Sequence, residues 1–319
     1  MEIHDYQKVY EKLKNGEEVV PVSREEALMM ALIGKIGGSG GESVRSLKTL
    51  FDFTKKSRYL FYKLSDIETI PDGIMQKTDT SNVTDMYYMF YGCNALTTIP
   101  ELDTSNVINM CGMFKDCTAL TTVPELDTSN VTDMMLMFNS CTSLTTIPEL
   151  DTSNVTTMMK MFYGCTALTT IPELDTSNVT DMNSMFSGCT ALTTIPELDT
   201  SNVTNMWEMF YGCTALETCL LKNIKVTVNL SYNPLLTLDS LIHLIKELCN
   251  TGSSKTLTLG STNKAKLSDT YVKLVTITDE MRAEDDLIDE KLPFEVCEST
   301  DDGAMLITNY VTQKNWKLA

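Results

Sequence analysis

The central part of the chain repeats one pattern of apolar and polar residues with a period of 24 residues. The phrase Asp-Thr-Ser-Asn-Val occurs six times, and a Met-x-x-Met-Phe segment follows each copy. The copies begin at Asp79, Asp103, Asp127, Asp151, Asp175 and Asp199. Repetition of a short unit at a fixed period predicts a solenoid in which each unit packs mainly against its two neighbours.

Each unit contains the pattern of a short helix followed by that of a short strand. Met86, Met89 and Phe90 lie at positions i, i+3 and i+4, which places them on one face of a helix. Gly92 follows where a left-handed residue ends a helix, and Gly, Asp or Ser takes this position in the other units. Leu96–Ile99 is β-prone and stops at a proline, which has no N–H for a sheet. The pattern therefore predicts short parallel strands on one side and short helices on the other.

The Met-Phe-x-Gly-Cys-x-x-Leu-x-x-Ile-Pro phrase resembles the BspA-like leucine-rich repeats of bacterial surface proteins. It most resembles the subtype that carries Asp-Thr-Ser-Asn-Val-x-x-Met-x-x-Met-Phe, and the resemblance covers roughly residues 57–222. It implies an α/β solenoid of the leucine-rich-repeat class that serves for display and binding. It does not specify a ligand.

The segments on both sides of the repeats predict caps and an attachment region. Residues 1–36 predict a helical N-terminal tether, and the Gly/Ser-rich residues 37–41 predict a flexible linker. Residues 42–78 predict an N-terminal cap and an irregular first coil, because a solenoid needs caps over its end units. The six repeats then occupy 79–222, and residues 223–319 predict an α/β C-terminal cap.

Within the predicted C-terminal cap, Thr237–Leu248 has the pattern of an amphipathic helix and Thr256–Gly260 that of a strand. Ser268 is expected to begin a helix that runs through Val275. The acidic stretch at 279–290 is expected to be a solvated helix face.

Two terminal regions also carry resemblances. Residues 257–267 and 314–319 resemble the C-terminal cap of repeat proteins in phage and prophage tail regions, although here about forty residues separate the two phrases. Pro-Val-Ser-Arg-Glu-Glu at 21–26 resembles the N-terminal tethers of phage tail-associated proteins.

Charge and composition argue against several classes of function. The net charge is −18, which disfavours binding to nucleic acid and to anionic membranes. The longest apolar run, Ala27–Ile33, is too short to span a bilayer, and residues 1–18 lack the apolar segment of a signal peptide. The chain has two histidines, His4 and His243, and neither lies near a nucleophile or at a metal-ligand spacing. We therefore expect no enzyme activity and no membrane insertion.

Six cysteines share one repeat position, which raises the question of disulfides or a metal. They are Cys93, Cys117, Cys141, Cys165, Cys189 and Cys213. One small residue per coil at a constant position favours a row of buried, inert thiols, and no CxxC pair indicates zinc.

Two carboxylate rows and a set of aromatic residues are candidates for binding. An aspartate row opens each repeat and a glutamate row lies beside it. These rows could bind Ca²⁺ between carboxylates, could be solvated, or could be tied into Asp/Ser turn hydrogen bonds. A uniform strand side could match a periodic polysaccharide, or it could reflect duplication and strand requirements. The predicted ligand-binding residues are the glutamate row Glu101, Glu125, Glu149, Glu173 and Glu197 and the aromatic residues Tyr91, Tyr163, Trp207 and Tyr211.

The resemblances and the expected lack of an export signal predict a non-enzymatic virion protein of a phage or prophage. It would be made in the bacterial cytoplasm and would join other tail or baseplate proteins through residues 1–36. Its solenoid would face outward and bind a host-surface glycan or protein. A BspA-like surface adhesin and a purely structural virion protein are the alternatives, and a homo-oligomer is left open.

Overall fold

The computed structural model of the chain describes most of the region from residue 58 onward. The described residues are 58–63, 65, 68–70, 80–250, 254–275, 281, 283, 285, 291, 293–302, 304–314 and 316–318. The predicted tether of 1–36, the linker of 37–41 and the first part of the predicted cap at 42–78 lie outside these residues.

Successive repeat units stack in parallel, one period apart. Asp85 forms a parallel bridge with Asn109, which lies 24 residues further along the chain. The same position is bridged in each later unit, through Asn109–Asp133, Asp133–Thr157, Thr157–Asp181 and Asp181–Asn205. The repeat period is therefore also the period of the stacking.

The segment that follows each bridge forms the main hydrogen-bond ladder between units. The amides of Tyr88, Phe90 and Gly92 donate to carbonyl oxygens of the next unit at 2.8–2.9 Å. The amide of Met89, by contrast, donates to Met86 of its own unit at 3.1 Å. The segment is consequently a run of turns, where the apolar spacing predicts a short helix. A helix would keep the amide of Phe90 bonded within its own unit, and here that amide is used for stacking.

Two residues per unit adopt the left-handed conformation that makes this run of turns. The second of them was predicted at the glycine that ends the segment, and this prediction is confirmed, with φ between 59° and 79° at Gly92, Asp116, Ser140, Gly164, Gly188 and Gly212. The first lies four residues earlier, with φ between 51° and 61° at Tyr88, Gly112, Leu136, Lys160, Ser184 and Glu208. The sequence does not predict this position, because five of its six residues are not glycine and L-residues usually avoid the left-handed conformation.

The interior of the stack is a set of apolar rows. Consecutive phenylalanine rings lie almost parallel, with centroids from 5.1 Å apart between Phe61 and Phe90 to 6.0 Å apart between Phe186 and Phe210. The methionine, valine and leucine positions of the repeat are buried beside them. A single unit could not bury these side chains alone, so the core exists only in the stack.

The cysteine row lies in this core, as predicted, and the ten cysteines, all within the described residues, are thiols that form no disulfide. Each thiol of the row donates to a phenylalanine carbonyl of the preceding unit, as Cys141 does to Phe114 at 3.1 Å and Cys165 to Phe138 at 3.0 Å. Burial raises the pKa of the Cys165 and Cys213 thiols to about 12. These groups are protonated donors, which is the inert state that the sequence predicts.

On the other side of each unit the β-prone segment is mostly irregular. Between the first four repeats it makes one long contact, such as 3.5 Å from the Thr121 amide to the Thr97 carbonyl. It becomes a regular strand at the end of the repeats, where β1 (Thr194–Asp199) pairs in parallel with β2 (Thr218–Lys222).

Among the residues that the structure describes, two further sheets and three helices with defined bounds follow the repeats. A parallel sheet has the order β3-β4-β8, and an antiparallel sheet has the order β6-β5-β7. The elements are β3 (Val228–Leu230), α1 (Leu238–Lys246), β4 (Lys255–Leu259), α2 (Ser261–Leu267), β5 (Tyr271–Leu274), β6 (Phe294–Cys297), β7 (Met305–Leu306), α3 (Ile307–Gln313) and β8 (Trp316–Leu318).

Two predictions for this region are confirmed and one is wrong. The predicted helix and strand correspond to α1 and β4, and the Thr237 side chain caps α1 by accepting from the Ser240 amide. Ser268 does not begin a helix: it follows the last residue of α2, and the chain then enters β5. Its hydroxyl instead donates to the Ala265 carbonyl, which closes the helix that precedes it.

A buried lysine joins the last segment of the chain to α1. The Lys314 ammonium donates to the carbonyls of Lys246 and Leu248 at 3.0 and 2.8 Å, where α1 ends. Trp316 donates from its indole nitrogen to Cys249 at 2.8 Å. Burial lowers the pKa of Lys314 to about 7.

Within the described residues, no helix combines the length and the apolar character needed to cross a membrane.

The left-handed glycines provide a matched pair of substitutions. A Cβ added at Gly164 would lie 3.7 Å from its nearest neighbour, whereas one added at Gly112 would lie 2.9 Å from the Tyr88 ring. We expect Gly164→Ala to lower the free energy of unfolding by about 1–2 kcal/mol through backbone strain alone. Gly112→Ala adds a steric clash and should cost more. Urea unfolding of both variants checks the order, and equal losses would contradict it.

The thiol row predicts a loss of stability at alkaline pH. A cysteine thiol ionises near pH 8.5 in the unfolded chain. Cys165 keeps its proton to about pH 12 when folded. The folded state therefore binds more protons above about pH 8.5, and the free energy of unfolding falls as the pH rises. Lys314 acts in the opposite sense between its folded pKa of about 7 and the unfolded value, but it is one group.

Cys165→Ser tests this effect, because serine can still donate to Phe138 and does not titrate. Between pH 7 and 10 in reducing buffer, we expect the variant to lose about 2 kcal/mol less stability than the parent chain, from 1.36 kcal/mol per pH unit. Urea unfolding at the two pH values measures the difference. An identical pH dependence would show that this thiol ionises equally in both states.

Candidate binding cleft at the end of the repeats

A cleft of about 390 Å³ lies where the last repeat unit meets β3 and the start of β4. Three aromatic side chains line it, Trp207 and Tyr211 from the repeat and Tyr232 from the turn after β3. They are exposed, at 65%, 47% and 49% respectively. Six polar residues also line the cleft: Thr204, Asn205, Glu208, Thr227, Asn229 and Lys255.

The repeat fold places Trp207 and Tyr211 at the surface. The Trp207 amide donates to the Asn205 side chain at 3.2 Å, which is the turn that every unit makes at this position. Glu208 is the left-handed residue of this unit, with φ of 54°, and its carbonyl accepts from the Tyr211 amide at 3.1 Å. Both aromatic residues therefore stand on backbone that the stack has already fixed.

Tyr232 is held by its two neighbours in the chain. Ser231 donates to the Asn229 side chain from its amide and its hydroxyl, at 3.0 and 2.7 Å. Asn233 is fully buried and donates to the carbonyls of Phe210 and Cys213. The Tyr232 ring then meets Tyr211 edge-on, with centroids 4.6 Å apart.

Asn233 explains why the cleft occurs at this point of the stack. In each repeat a thiol donates to the phenylalanine carbonyl of the unit before, the last case being Cys213 to Phe186 at 3.0 Å. The next carbonyl in the row, that of Phe210, accepts from Asn233 at 3.0 Å. A carboxamide thus replaces the thiol at the first step beyond the repeats. The chain around Asn233 has left the repeat pattern, and residues 226–232 form the second wall of the cleft together with Lys255.

The groups of the cleft suit binding by stacking and hydrogen bonding. Aromatic rings offer flat apolar faces, and the two asparagines, Glu208 and Lys255 offer donors and acceptors at the rim. One acidic and one basic side chain leave the lining close to neutral in formal charge.

The structure separates the nine predicted ligand-binding residues. Trp207 and Tyr211 come together in the cleft, but none of the glutamate row lines it. All five glutamates are exposed, and Glu197 pairs with Lys222 at 3.2 Å. The repeat pattern does not indicate Tyr232, Asn229 or Lys255, because they follow the repeats and no period relates them to Trp207.

The other two predicted aromatic residues lie in different surroundings. Tyr91 packs in a tyrosine cluster, 5.0 Å from Tyr62 and 5.2 Å from Tyr88, with the Lys115 ammonium 4.4 Å above its ring. Tyr163 is 40% exposed and lies beside Lys160. Neither residue contributes to the cleft.

The aspartate row forms the Asp/Ser turns that were one of its three interpretations. Asp151 accepts from both the amide and the hydroxyl of Ser153, at 3.0 and 2.6 Å. The hydroxyl bond is the larger cause that lowers the pKa of Asp151, followed by the amide bond. Equivalent pairs occur at Asp103, Asp127 and Asp175. In the part of the chain that the structure describes, no group of three or more His, Cys, Asp or Glu side chains is arranged to hold a metal ion.

Comparison with known proteins identifies a family. The chain matches no curated protein. A family model described as "Mycoplasma protein of unknown function, DUF285" matches residues 55–168 and 144–231. The two matches overlap and together cover residues 55–231, which is more than half of the 319 residues. The chain therefore belongs to the DUF285 family, which is consistent with a BspA-like repeat protein.

Proposed function

We propose that this protein is a non-enzymatic binding scaffold, built as a leucine-rich-repeat solenoid that holds exposed side chains on a rigid frame. The observation that carries the proposal is that constant and varied positions of the repeat have different roles. Positions that are constant from copy to copy build the stack, and the most exposed large side chains occupy positions that vary.

The constant polar positions are used up by structural hydrogen bonds. Threonines of one row donate to the next unit, as Thr152 does to the Asp175 carbonyl at 2.8 Å. Asparagines of another row donate to the preceding unit, as Asn154 does to the Ser129 carbonyl at 2.8 Å. Together with the thiol row and the Asp/Ser turns, these bonds account for most of the polar groups that recur with the period. Groups bound in this way hold the frame and are not poised for chemistry.

The varied positions give the surface its individual character. Ile108 is 50% exposed and stands where the other units carry threonine. Tyr163 and Trp207 are further examples, at 40% and 65% exposure. Single exposed apolar residues are ordinary on a protein surface, whereas a group of them, such as Trp207 and Tyr211 in the cleft, is typical of a surface that contacts a partner. A rigid frame also lowers the entropic cost of presenting them.

The setting that we propose for this scaffold is the virion of a phage or prophage, at the tail or baseplate. Residues 1–36 would join other virion proteins, and the repeats would face the host surface. The proposal is supported by the resemblance of residues 257–267 and 314–319 to the C-terminal caps of repeat proteins in phage tail regions. These phrases, far apart in sequence, are neighbours in the fold, since Leu257 of β4 pairs with Leu318 of β8.

Two other functions use the same scaffold. A bacterial surface adhesin of the BspA-like type is supported by the repeat phrase itself, which resembles the repeats of surface proteins. A purely structural virion protein would need the stack but none of its exposed aromatic residues. Binding to nucleic acid is disfavoured by the net charge of −18.

Immunogold labelling distinguishes these settings. We expect an antibody against residues 80–222 to label phage particles from the source strain at the tail. A particle from a strain lacking the coding sequence is the control. Labelling that is confined to the envelope of the cell would contradict the virion setting and favour the adhesin. Particles that carry the chain without its repeats should adsorb poorly to cells, and normal adsorption would favour the purely structural role.

A further inference from the structure

We propose that the cleft formed by Trp207, Tyr211 and Tyr232 binds a neutral carbohydrate, which stacks on the aromatic rings and hydrogen-bonds to the polar side chains at the rim. This inference rests on the proposed function, because it names the ligand class of the binding scaffold. It adds a site that includes residues outside the repeats.

The aromatic rings provide the first part of the argument. A pyranose ring has an apolar face of C–H groups that packs against a flat aromatic ring, and burying apolar surface contributes about 25 cal/mol per Å². Trp207 is 65% exposed, so most of its surface remains open to such a partner. The edge-on pair of Tyr211 and Tyr232 forms a second aromatic surface in the same cleft.

The polar side chains provide the second part. Each sugar hydroxyl can both donate and accept hydrogen bonds, so a sugar site needs both kinds of partner. The Glu208 carboxylate accepts and the Lys255 ammonium donates. The Asn229 side chain offers its Nδ2 as a second donor, since its oxygen already accepts from Ser231. The single acidic and single basic group match a ligand without net charge.

The backbone that carries the aromatic rings is also fixed before any ligand arrives. Asn233 ties the chain after Tyr232 to two buried carbonyls, and Asn229 closes the turn before it. Rings that are already in place lose little entropy on binding, which favours weak ligands such as sugars.

Other occupants fit these groups less well. A polyanion would meet a chain of net charge −18 with one lysine in the cleft. A quaternary ammonium group favours aromatic cages, but the Lys255 ammonium would repel it. A stable protein partner covers about 20–30 residues on each side, whereas eleven residues line this cleft. Its volume of about 390 Å³ lies in the range of small-molecule sites.

Tryptophan fluorescence offers a direct test, because the chain has two tryptophans and Trp316 is 2% exposed. Acrylamide quenching therefore reports mainly on Trp207. The probes are N-acetylchitohexaose, cellohexaose and maltoheptaose, each titrated to millimolar concentration against the full chain. We expect at least one of them to protect Trp207 from quenching in a saturable manner. Protection by none of the three would overturn the proposal.

Variants assign the protection to the cleft. Tyr232→Ala should weaken binding of the protective oligosaccharide about tenfold, through loss of the aromatic surface. Glu208→Gln keeps the shape of the side chain and should weaken binding several-fold. Tyr163→Ala removes a similarly exposed tyrosine elsewhere and should leave binding unchanged. Unaltered binding in both cleft variants, or protection by tetramethylammonium but by no oligosaccharide, would refute a carbohydrate site.

The outcomes separate this inference from the proposed function. If the chain labels the virion and its repeats are needed for adsorption, but no oligosaccharide protects Trp207, the scaffold stands and the carbohydrate site is wrong. If an oligosaccharide protects Trp207 while adsorption is normal without the repeats, the site stands and the host-binding role is wrong.

Discussion

The structure depends on the backbone hydrogen bonds that each 24-residue unit makes to the next. In the Met-x-x-Met-Phe segment, alternate amides leave their own unit, as that of Phe90 does to reach the Met113 carbonyl at 2.8 Å. Two left-handed residues per unit turn those amides outward. The same bonds set the spacing at which the phenylalanine rings stack and the thiols reach the carbonyls of the preceding unit. A unit taken alone would expose its apolar face to water and leave these amides without a protein acceptor.

Function then belongs to positions that the stacking does not use, and to the place where it ends. A stack of identical units has an identical surface, so a distinctive site needs a break in the period. The break comes at Asn233, which takes the hydrogen-bonding role of the next thiol while the chain around it leaves the repeat. Trp207 and Tyr211 stand on the last repeat, and Tyr232 faces them from beyond it. The cleft is therefore a consequence of how the repeat stops.

Much of this arrangement can be predicted from the sequence, because residues at the same position of the repeat have the same environment in every unit. The buried cysteine row, the Asp/Ser turns and the left-handed position of Gly92 follow from it. The run of turns does not, because Met86, Met89 and Phe90 share a face both in a helix and in these turns. Side-chain spacing carries no information on where a backbone amide points. Of the three aromatic residues in the cleft, Trp207 and Tyr211 were predicted as ligand-binding residues and Tyr232 was not. Tyr232 lies outside the period, and its approach to Tyr211 depends on tertiary structure.

Removal of one whole period tests the stacking most directly. Deletion of residues 127–150 joins Leu126 to Asp151 and restores the repeat phrase across the junction. A stack held together by contacts between equivalent positions of neighbouring units should keep its cooperative unfolding transition after this deletion, with a modestly lower melting temperature. Deletion of half a period, residues 129–140, should abolish that transition, because every later unit loses its register. Equal tolerance of both deletions, or loss of folding in both, would contradict the account.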